Sequence, residues 1–240
     1  MKKIIRVTRH SLDWVPILEK ASLIAICYLL FNCECAADED IGQVTITMNL
    51  PFKTNPSRVW QIGYSADNTL SVDQFRLCTF SDTTDVIGMW HPSSSSDGYY
   101  PYTGQNRETS SRVSKSNGWA VEAGQIAMEG SNTGQYSLLR FVVPVTGTYK
   151  LIGVFKGVHY GLSSTDVHIL VNSTSVLNEI IEGYGGDPKF HTIEGPHPTA
   201  PFEKEFTLKK NDIVTFAVGY GPNKTHYNDT TGLTVLIEKK

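Results

Sequence analysis

A two-residue alternation of apolar and polar side chains over residues 138–171 constrains the fold of this chain more than any other feature. In its middle segment Tyr149, Leu151 and Phe155 point one way and most intervening residues the other, because side chains alternate across a pleated strand. Proline and glycine mark the turns on either side, since proline lacks an amide and glycine takes positive φ easily. We therefore expect three consecutive strands, the last at 166–171.

Shorter alternating runs, each bounded by turn residues, recur through the rest of the chain, and residues after position 40 show no sustained helical period. Many short strands separated by turn signals are typical of sandwiches and barrels. The sequence thus predicts an all-β fold, an antiparallel two-sheet β-sandwich of jelly-roll type. We expect long loops at 91–118 and 183–201. Further strands are expected at 44–50, 59–64, 72–80, 86–90, 119–128, 176–181, 202–208, 213–220 and 233–237.

The N-terminal segment has the layout of a secretory signal peptide. Residues 1–20 are basic on balance, Ala21–Phe31 is an apolar run of 11 residues, and small residues follow at Cys35–Ala37. A membrane span needs roughly 20 apolar residues, so cleavage is favoured over a retained anchor. We expect residues 1–37 to be a signal peptide and 38–240 a single domain. The expected location is secreted or extracytoplasmic, with no membrane contact after cleavage.

Charge and cysteine content narrow the possible partners. With 21 basic and 24 acidic residues the net charge is −3, so no basic surplus exists to neutralise phosphates and nucleic acid is excluded as an expected partner.

Of four cysteines only Cys78 lies beyond the predicted signal. One thiol cannot form an internal disulfide, and we expect Cys78 to be a small buried side chain rather than a nucleophile.

Several motifs carry a resemblance to a known family. They are an Arg-Phe strand at 140–141, Pro144, Gly147-Thr148-Tyr149, Gly153-x-Phe155, Thr165–His168, the run 210–221, and Asn228–Leu233. Residues 58–238 resemble a β-sandwich domain of exported bacterial proteins, many of which carry a C-terminal PEP-CTERM sorting tail. The resemblance implies a jelly-roll fold, an extracytoplasmic location and no catalytic residues. The chain departs from the family at residues 125–130, which lack His-Pro-Gly, and at Lys240, where no sorting tail follows.

Familiar catalytic signatures are missing from the sequence, including Gly-x-Ser-x-Gly, His-Glu-x-x-His and the P-loop. Asp166 and His168 lie two apart on a predicted strand, so they share a face and could pair. His191 and His197, with Glu194 between them, lie in the second long loop, where these histidines are either solvated or able to bind zinc. A hydrolase using carboxylates such as Asp166 or Glu194 remains a minor alternative.

Oxygen-bearing side chains cluster near the C-terminus. Asp229 and Asn228 are followed by Thr230, and oxygen ligands of this kind suit calcium. A structural calcium ion at Asp229 and Asn228 is one interpretation, and turn chemistry before the last strand explains the residues equally well. No other cofactor is expected.

Aromatic residues in and beside the predicted loops are the feature of the sequence that indicates a ligand. A flat ring offers an apolar face to the C–H side of a sugar, and a tyrosine hydroxyl can bond a sugar oxygen. The alternative is that these rings cap the ends of the core. The predicted carbohydrate-binding residues are Trp90, Tyr99, Tyr100, Tyr102, Tyr160 and Tyr184, with Tyr220 and Tyr227 in or beside neighbouring loops.

The sequence therefore favours a non-catalytic exported module that binds extracellular polysaccharide through loop aromatics. The main alternative is a structural or adhesive module that contacts surface proteins, or copies of itself, through its sheet faces.

Overall fold

Two large antiparallel sheets carry most of the regular structure. The computed structural model describes residues 45–47, 54–57, 59–82, 87–92 and 100–240, so the predicted signal segment 1–37 lies outside the described residues. The described residues all belong to one unit, Ile41–Lys240. Every strand pair within them is antiparallel, which confirms the predicted fold class of a two-sheet all-β protein.

The first sheet, sheet A, has eight strands within the described ranges. In spatial order it contains β15 (Thr199–Leu208), β11 (Gly147–Gly157), β17 (Thr231–Lys239), β9 (Ile126–Glu129), β6 (Tyr102–Gln105), β5 (Gly88–His91) and β4 (Phe80–Asp82), while β1 (Thr45–Thr47) pairs with the C-terminal part of β17.

The second sheet, sheet B, has seven strands in the same part of the chain. In spatial order it contains β14 (Glu194–His197), β13 (Thr174–Tyr184), β12 (Thr165–Val171), β16 (Ile213–Val218), β10 (Ser137–Val142), β2 (Trp60–Ser65) and β3 (Phe75–Leu77). A separate pair consists of β7 (Arg112–Ser114) and β8 (Trp119–Val121).

The core lies between the two sheets and follows the alternation that the sequence predicts. On β11 Tyr149, Leu151 and Phe155 are buried, whereas Lys150 turns outward and forms an ion pair with Glu203 on β15 (2.6 Å). Burial of apolar surface stabilises the fold by about 25 cal/mol per Å². The same core cluster includes, from sheet B, Trp60, Ile62, Leu139, Phe141, Val167, Ile169, Ile181, Val214, Phe216 and Val218.

The predicted strand 72–80 is wrong as a single element. Residues Val72–Gln74 form a 3₁₀ turn, after which β3 joins sheet B and β4 joins sheet A. The Arg140 guanidinium fixes the start of the segment, because it stacks over the Phe75 ring at 3.8 Å and donates to the Val72 carbonyl at 3.2 Å. Where the two strands part, Asn55 Nδ2 donates to the Cys78 carbonyl at 2.8 Å. Cys78, between β3 and β4, is buried as predicted.

Both predicted long loops contain regular structure. The first, 91–118, includes β6 and β7, and the second, 183–201, includes β14 and the start of β15. Strand β14 has the sequence EGPH, which has little intrinsic strand preference, and it forms because its backbone pairs with the end of β13. In the residues that the structure describes, no helix is long and apolar enough to cross a membrane.

Several connections meet at one end of the sandwich, which we call the loop end. Strand register sets this arrangement: Thr231 pairs with both Gly157 and Met128 in sheet A, and Val218 pairs with both Val167 and Ser137 in sheet B. The loop end comprises residues 100–101, 130–136, 158–164, 185–193 and 219–230.

Candidate functional site

A buried carboxylate organises the part of the loop end that lies over sheet A. Glu129 is the last residue of β9 and is 4% exposed. Its Oε2 accepts hydrogen bonds from Thr230 Oγ1 (2.7 Å) and from the Tyr102 hydroxyl (3.2 Å), and its Oε1 lies 3.4 Å from His226 Nδ1. A buried charge is costly unless it is paired, so these contacts tie the 219–230 loop to the sheet beneath it.

Above Glu129 two tyrosine rings pack on the imidazole of His226. Tyr100 packs on His226 with ring centroids 4.0 Å apart, and Tyr227 stacks on the same imidazole at 4.9 Å with planes inclined by 29°. His226 is buried, Tyr100 is half-buried, and Tyr227 is 68% exposed. Burial, followed by the charge of Glu129, raises the pKa of Tyr100, so its phenol stays a neutral hydrogen-bonding group.

Asp229 lies two residues after Tyr227 in the chain and is fully buried. Its Oδ1 accepts the backbone N–H of Ser164 at 3.0 Å, while its Oδ2 is buried without a hydrogen-bond partner among the described residues. Burial first, and then the charge of Glu129, raises the pKa of Asp229 to about 7. The carboxyl group therefore joins the 219–230 loop to the 158–164 loop and titrates close to neutral pH.

A second aromatic cluster lies where β13 ends. Tyr160 stacks on His191 with centroids 4.9 Å apart and planes inclined by 17°, and Tyr184 meets both rings edge-on at 5.6 and 5.1 Å. Tyr184 is fully buried, its hydroxyl donates to the Asp187 carbonyl at 3.0 Å, and burial raises its pKa to about 12. Tyr160 and His191 are half-buried, so the outer edge of this cluster reaches solvent.

The two aromatic clusters adjoin each other. A Cβ at position 161 would lie only 2.7 Å from Asn228 Cγ, so glycine lets the 158–164 and 219–230 loops approach this closely. Tyr160 precedes Gly161 and Tyr227 precedes Asn228 in the chain. The loops that carry Tyr160 and Tyr227 therefore meet at the loop end.

The structure corrects part of the predicted carbohydrate-binding set. Trp90 and Tyr184 are buried, at 6% and 0% exposure, because Trp90 packs in the main core and Tyr184 packs against Tyr160 and His191, so neither presents a face to solvent. Tyr102 turns its hydroxyl onto Glu129 instead. Tyr100 and Tyr160 are half-buried, and Tyr99 lies outside the described residues.

The residues expected to hold calcium have other roles. Asp229 accepts a backbone hydrogen bond, and Asn228 adopts positive φ (69°) at a turn and packs on Gly161. Within the described ranges, no group of three or more His, Cys, Asp or Glu side chains is arranged to hold a metal ion. The geometry thus favours the alternative interpretation of this segment as turn chemistry.

The carboxylates considered for hydrolysis lie in separate clusters. Asp166 and His168 pair as predicted, with Oδ2 and Nε2 2.7 Å apart, and the Gly221 amide donates to Asp166 Oδ1 at 2.7 Å. Burial opposes ionisation of Asp166, but hydrogen bonds from His168, Gly221 and Tyr136 prevail and lower its pKa. Glu194 lies on β14, and its Oε1 is instead 3.0 Å from Nε2 of His191.

The sequence does not predict the contact between Glu129 and His226, because the two residues lie 97 positions apart and no local motif joins them. Only the register of β9 against β17, which brings Met128 opposite Thr231, places the two side chains together.

Comparisons with known proteins give only distant likenesses. No protein-family model matches the chain, and no curated protein sequence matches it. Among solved structures, a family 51 carbohydrate-binding module from Clostridium perfringens, in complex with methyl-galactose, is 12% identical with a TM-score of 0.35. That match covers 60% of this chain and 91% of the module.

Two other solved structures match to a similar degree. A family 35 carbohydrate-binding module from Clostridium thermocellum is 12% identical, with a TM-score of 0.28, over 53% of this chain and 85% of its own. The K3 adhesin domain of Lys-gingipain from Porphyromonas gingivalis is 13% identical, with a TM-score of 0.30, over 52% and 87%. Values this low transfer neither a ligand nor a site to this chain.

Proposed function

We propose that the loop end binds carbohydrate through the exposed ring of Tyr227 and the half-buried rings of Tyr100 and Tyr160. The observation that carries the proposal is the position of Tyr227, whose ring is 68% exposed and is nevertheless held against the buried imidazole of His226. A large exposed ring held in place has apolar surface to offer a ligand at little cost in conformational entropy.

The polar surroundings of these rings suit a sugar. A saccharide presents C–H faces to aromatic rings and hydroxyl groups at its edge, so a site needs both flat apolar surface and short polar side chains. Asn223 and Asn228 are exposed on the loop that carries Tyr227, and the exposed residue Asn132 reaches the same loop, with its Oδ1 accepting the His226 amide at 3.3 Å. These amides can donate to and accept from sugar hydroxyls.

In this proposal the protein recognises an extracellular polysaccharide and does not cleave it. The extracytoplasmic setting is supported by the signal-like pattern of residues 1–37. The rings lie on loops, whereas the strands beneath them are fixed by the core, so ligand identity is set by the loop residues.

A glycan-array screen of the purified chain, with and without calcium, tests the proposal. We expect binding to at least one polysaccharide class, followed by a large loss in a Tyr227→Ala, Tyr160→Ala double variant whose circular dichroism matches that of the wild type. Absence of binding to every glycan, together with concentration-dependent self-association, would instead support the adhesive alternative.

A further inference from the structure

The 158–164 and 219–230 loops lie against each other at the loop end, and we call their contact the loop seam. Where these loops leave β11 and enter β17, the Val158 amide donates to the Thr230 carbonyl at 3.1 Å. Elsewhere along the seam, glycine at position 161 lets the two chains approach closely. The seam therefore joins two loops that each carry an aromatic ring at the surface.

An ionisable side chain is buried in this seam. Asp229 is fully buried, and its Oδ1 accepts the backbone N–H of Ser164 at 3.0 Å. Its backbone carbonyl accepts the Thr165 hydroxyl at 3.3 Å. The carboxyl group of Asp229 thus forms one of the hydrogen bonds that cross from one loop to the other.

The surroundings of Asp229 do not compensate a negative charge. Its Oδ2 is buried without a hydrogen-bond partner, and within the described ranges its carboxylate forms no ion pair. The buried Glu129, at the end of β9, repels the charge, and only the protonated form of His226, on its own loop, attracts it. A buried charge without such compensation is costly, so ionisation of Asp229 opposes the closed seam.

The titratable residues of the facing loop are neutral near pH 7. Burial lowers the pKa of His159, whose Nδ1 accepts the Gly161 amide at 2.9 Å, so its imidazole is uncharged. Burial raises the pKa of Tyr160, so its phenol is uncharged as well. The facing loop therefore offers Asp229 the Ser164 amide as a donor but supplies no positive charge.

We propose that the loop seam is a proton-sensitive latch, closed while Asp229 carries a proton and loosened when its carboxyl group ionises. Ionisation leaves a negative charge on the buried carboxyl group beside the charge of Glu129, and opening of the seam lets water reach it. The protonated group keeps Oδ1 as an acceptor for the Ser164 amide. The latch controls how two surface loops are held together, which goes beyond the proposed carbohydrate function and does not depend on it.

Hydrogen exchange of the Ser164 amide, measured by NMR on the full chain, tests the latch because this amide donates to Asp229. After correction for the intrinsic pH dependence of exchange, its protection should fall about tenfold or more between pH 5 and pH 7. The reason is that the pKa of Asp229, which burial raises to about 7 in the closed seam, returns toward 3.8 on opening. The Asn172 amide, which bonds the Ile213 carbonyl at 2.7 Å in an exposed turn outside the seam, should keep its protection.

Two variants separate Asp229 from other titrating groups. Asp229→Asn retains an acceptor for the Ser164 amide but cannot ionise, so protection of that amide should no longer depend on pH. Glu129→Gln removes the repelling charge and should move the transition to higher protection at pH 7 than in the wild type. Glu205→Gln is the control, because it removes an exposed carboxylate on β15, outside the seam, and should leave the transition unchanged.

Three results would overturn the latch. The first is a Ser164 protection that stays constant from pH 5 to pH 8 in the wild type. The second is a pH dependence that persists in Asp229→Asn, or, if that variant does not fold, one that Glu129→Gln leaves unshifted. The third is an equal loss of protection at Ser164 and Asn172, since general loosening would then account for it. No saccharide enters the measurement, so its result is independent of the proposed carbohydrate function.

Discussion

The carbonyl oxygen of Gly183 occupies the space that a Cβ on Gly157 would need. The ends of β11 and β13, which belong to different sheets, therefore touch backbone to backbone. Hydrogen bonds seal the same junction, because the Gly157 amide donates to the Pro198 carbonyl at 3.0 Å and the Gly185 amide donates to the Gly157 carbonyl at 2.8 Å. The loop end rests on this close approach of the two layers.

Replacing Gly157 by alanine should destabilise the protein by about 1–3 kcal/mol, because a methyl group there forces the two backbones apart. Gly147→Ala on the same strand is the control, since its Cβ would meet only the flexible end of Lys239, at 2.9 Å from Cε. Urea denaturation of the two variants checks the prediction, and equal stabilities would contradict it.

Removing the Glu129 side chain should cost about 3 kcal/mol, because Tyr102, Thr230 and His226 would lose their buried partner. Glu129→Gln should be milder, since the amide retains an acceptor oxygen. An exposed carboxylate serves as reference: Glu205→Ala, which breaks an ion pair with Lys240, should change stability by about 0.5 kcal/mol or less. Chemical denaturation measures all three variants, and a tolerated Glu129→Ala would show that the buried contacts add little.

The stability of the protein should depend on pH because the pKa of Asp229 differs between the folded and unfolded chain. Burial, assisted by the charge of Glu129, raises its folded pKa to about 7 from an ordinary value of 3.8, so the folded chain holds this proton more tightly than the unfolded chain does. The associated stabilisation is complete below the unfolded pKa and is lost as pH rises through 7, with a slope of up to about 1.4 kcal/mol per pH unit. Asp229→Asn should flatten this slope in unfolding measurements made at several pH values.

Asp166 provides a control of opposite sign. Although burial opposes its ionisation, hydrogen bonds from His168, Gly221 and Tyr136 lower its folded pKa. Its stabilisation is therefore present above the unfolded pKa and is lost as pH falls through the folded value. Asp166→Asn should weaken the protein at neutral pH and leave the Asp229-dependent slope unchanged. A wild-type slope retained in Asp229→Asn would refute the assignment.

Removing the Tyr227 ring should weaken glycan binding about tenfold, which corresponds to about 1.4 kcal/mol, and leave stability nearly unchanged. Tyr227→Phe keeps the ring and should retain most of the affinity. Leu162→Ala is a matched control because Leu162 is exposed by 67% on the neighbouring loop but has no ring. If Leu162→Ala lowers the affinity as much as Tyr227→Ala does, measured by calorimetry, a specific stacking role is excluded.

Local alternation was sufficient to predict the strands that line the core. The side chains of Tyr149, Leu151 and Phe155 face inward as expected, because the period of a strand is a property of adjacent residues. Alternation could not predict that the 72–80 segment divides between two sheets, since β3 and β4 continue the same pattern. That division lies at Cys78, whose carbonyl accepts a hydrogen bond from Asn55, a residue distant in sequence.

The candidate site was predictable only in part. Its aromatic composition is visible in the loops, where Tyr227 is exposed and Tyr100 and Tyr160 are half-buried. Which rings turn inward is decided by contacts between remote segments, as at Tyr102, whose hydroxyl bonds Glu129, 27 positions along the chain. The Glu129–His226 pair arises from sheet register, which a single sequence does not reveal.

Strands β14 and β15 are separated by Pro198 alone, so the border of one sheet continues directly into the border of the other. The two layers are therefore joined along this flank by one residue of chain. The opposite margin is closed in the same way, because only Cys78 and Thr79 separate β3 in sheet B from β4 in sheet A. With a short link at each margin, sliding of one sheet over the other is restricted on both sides of the core.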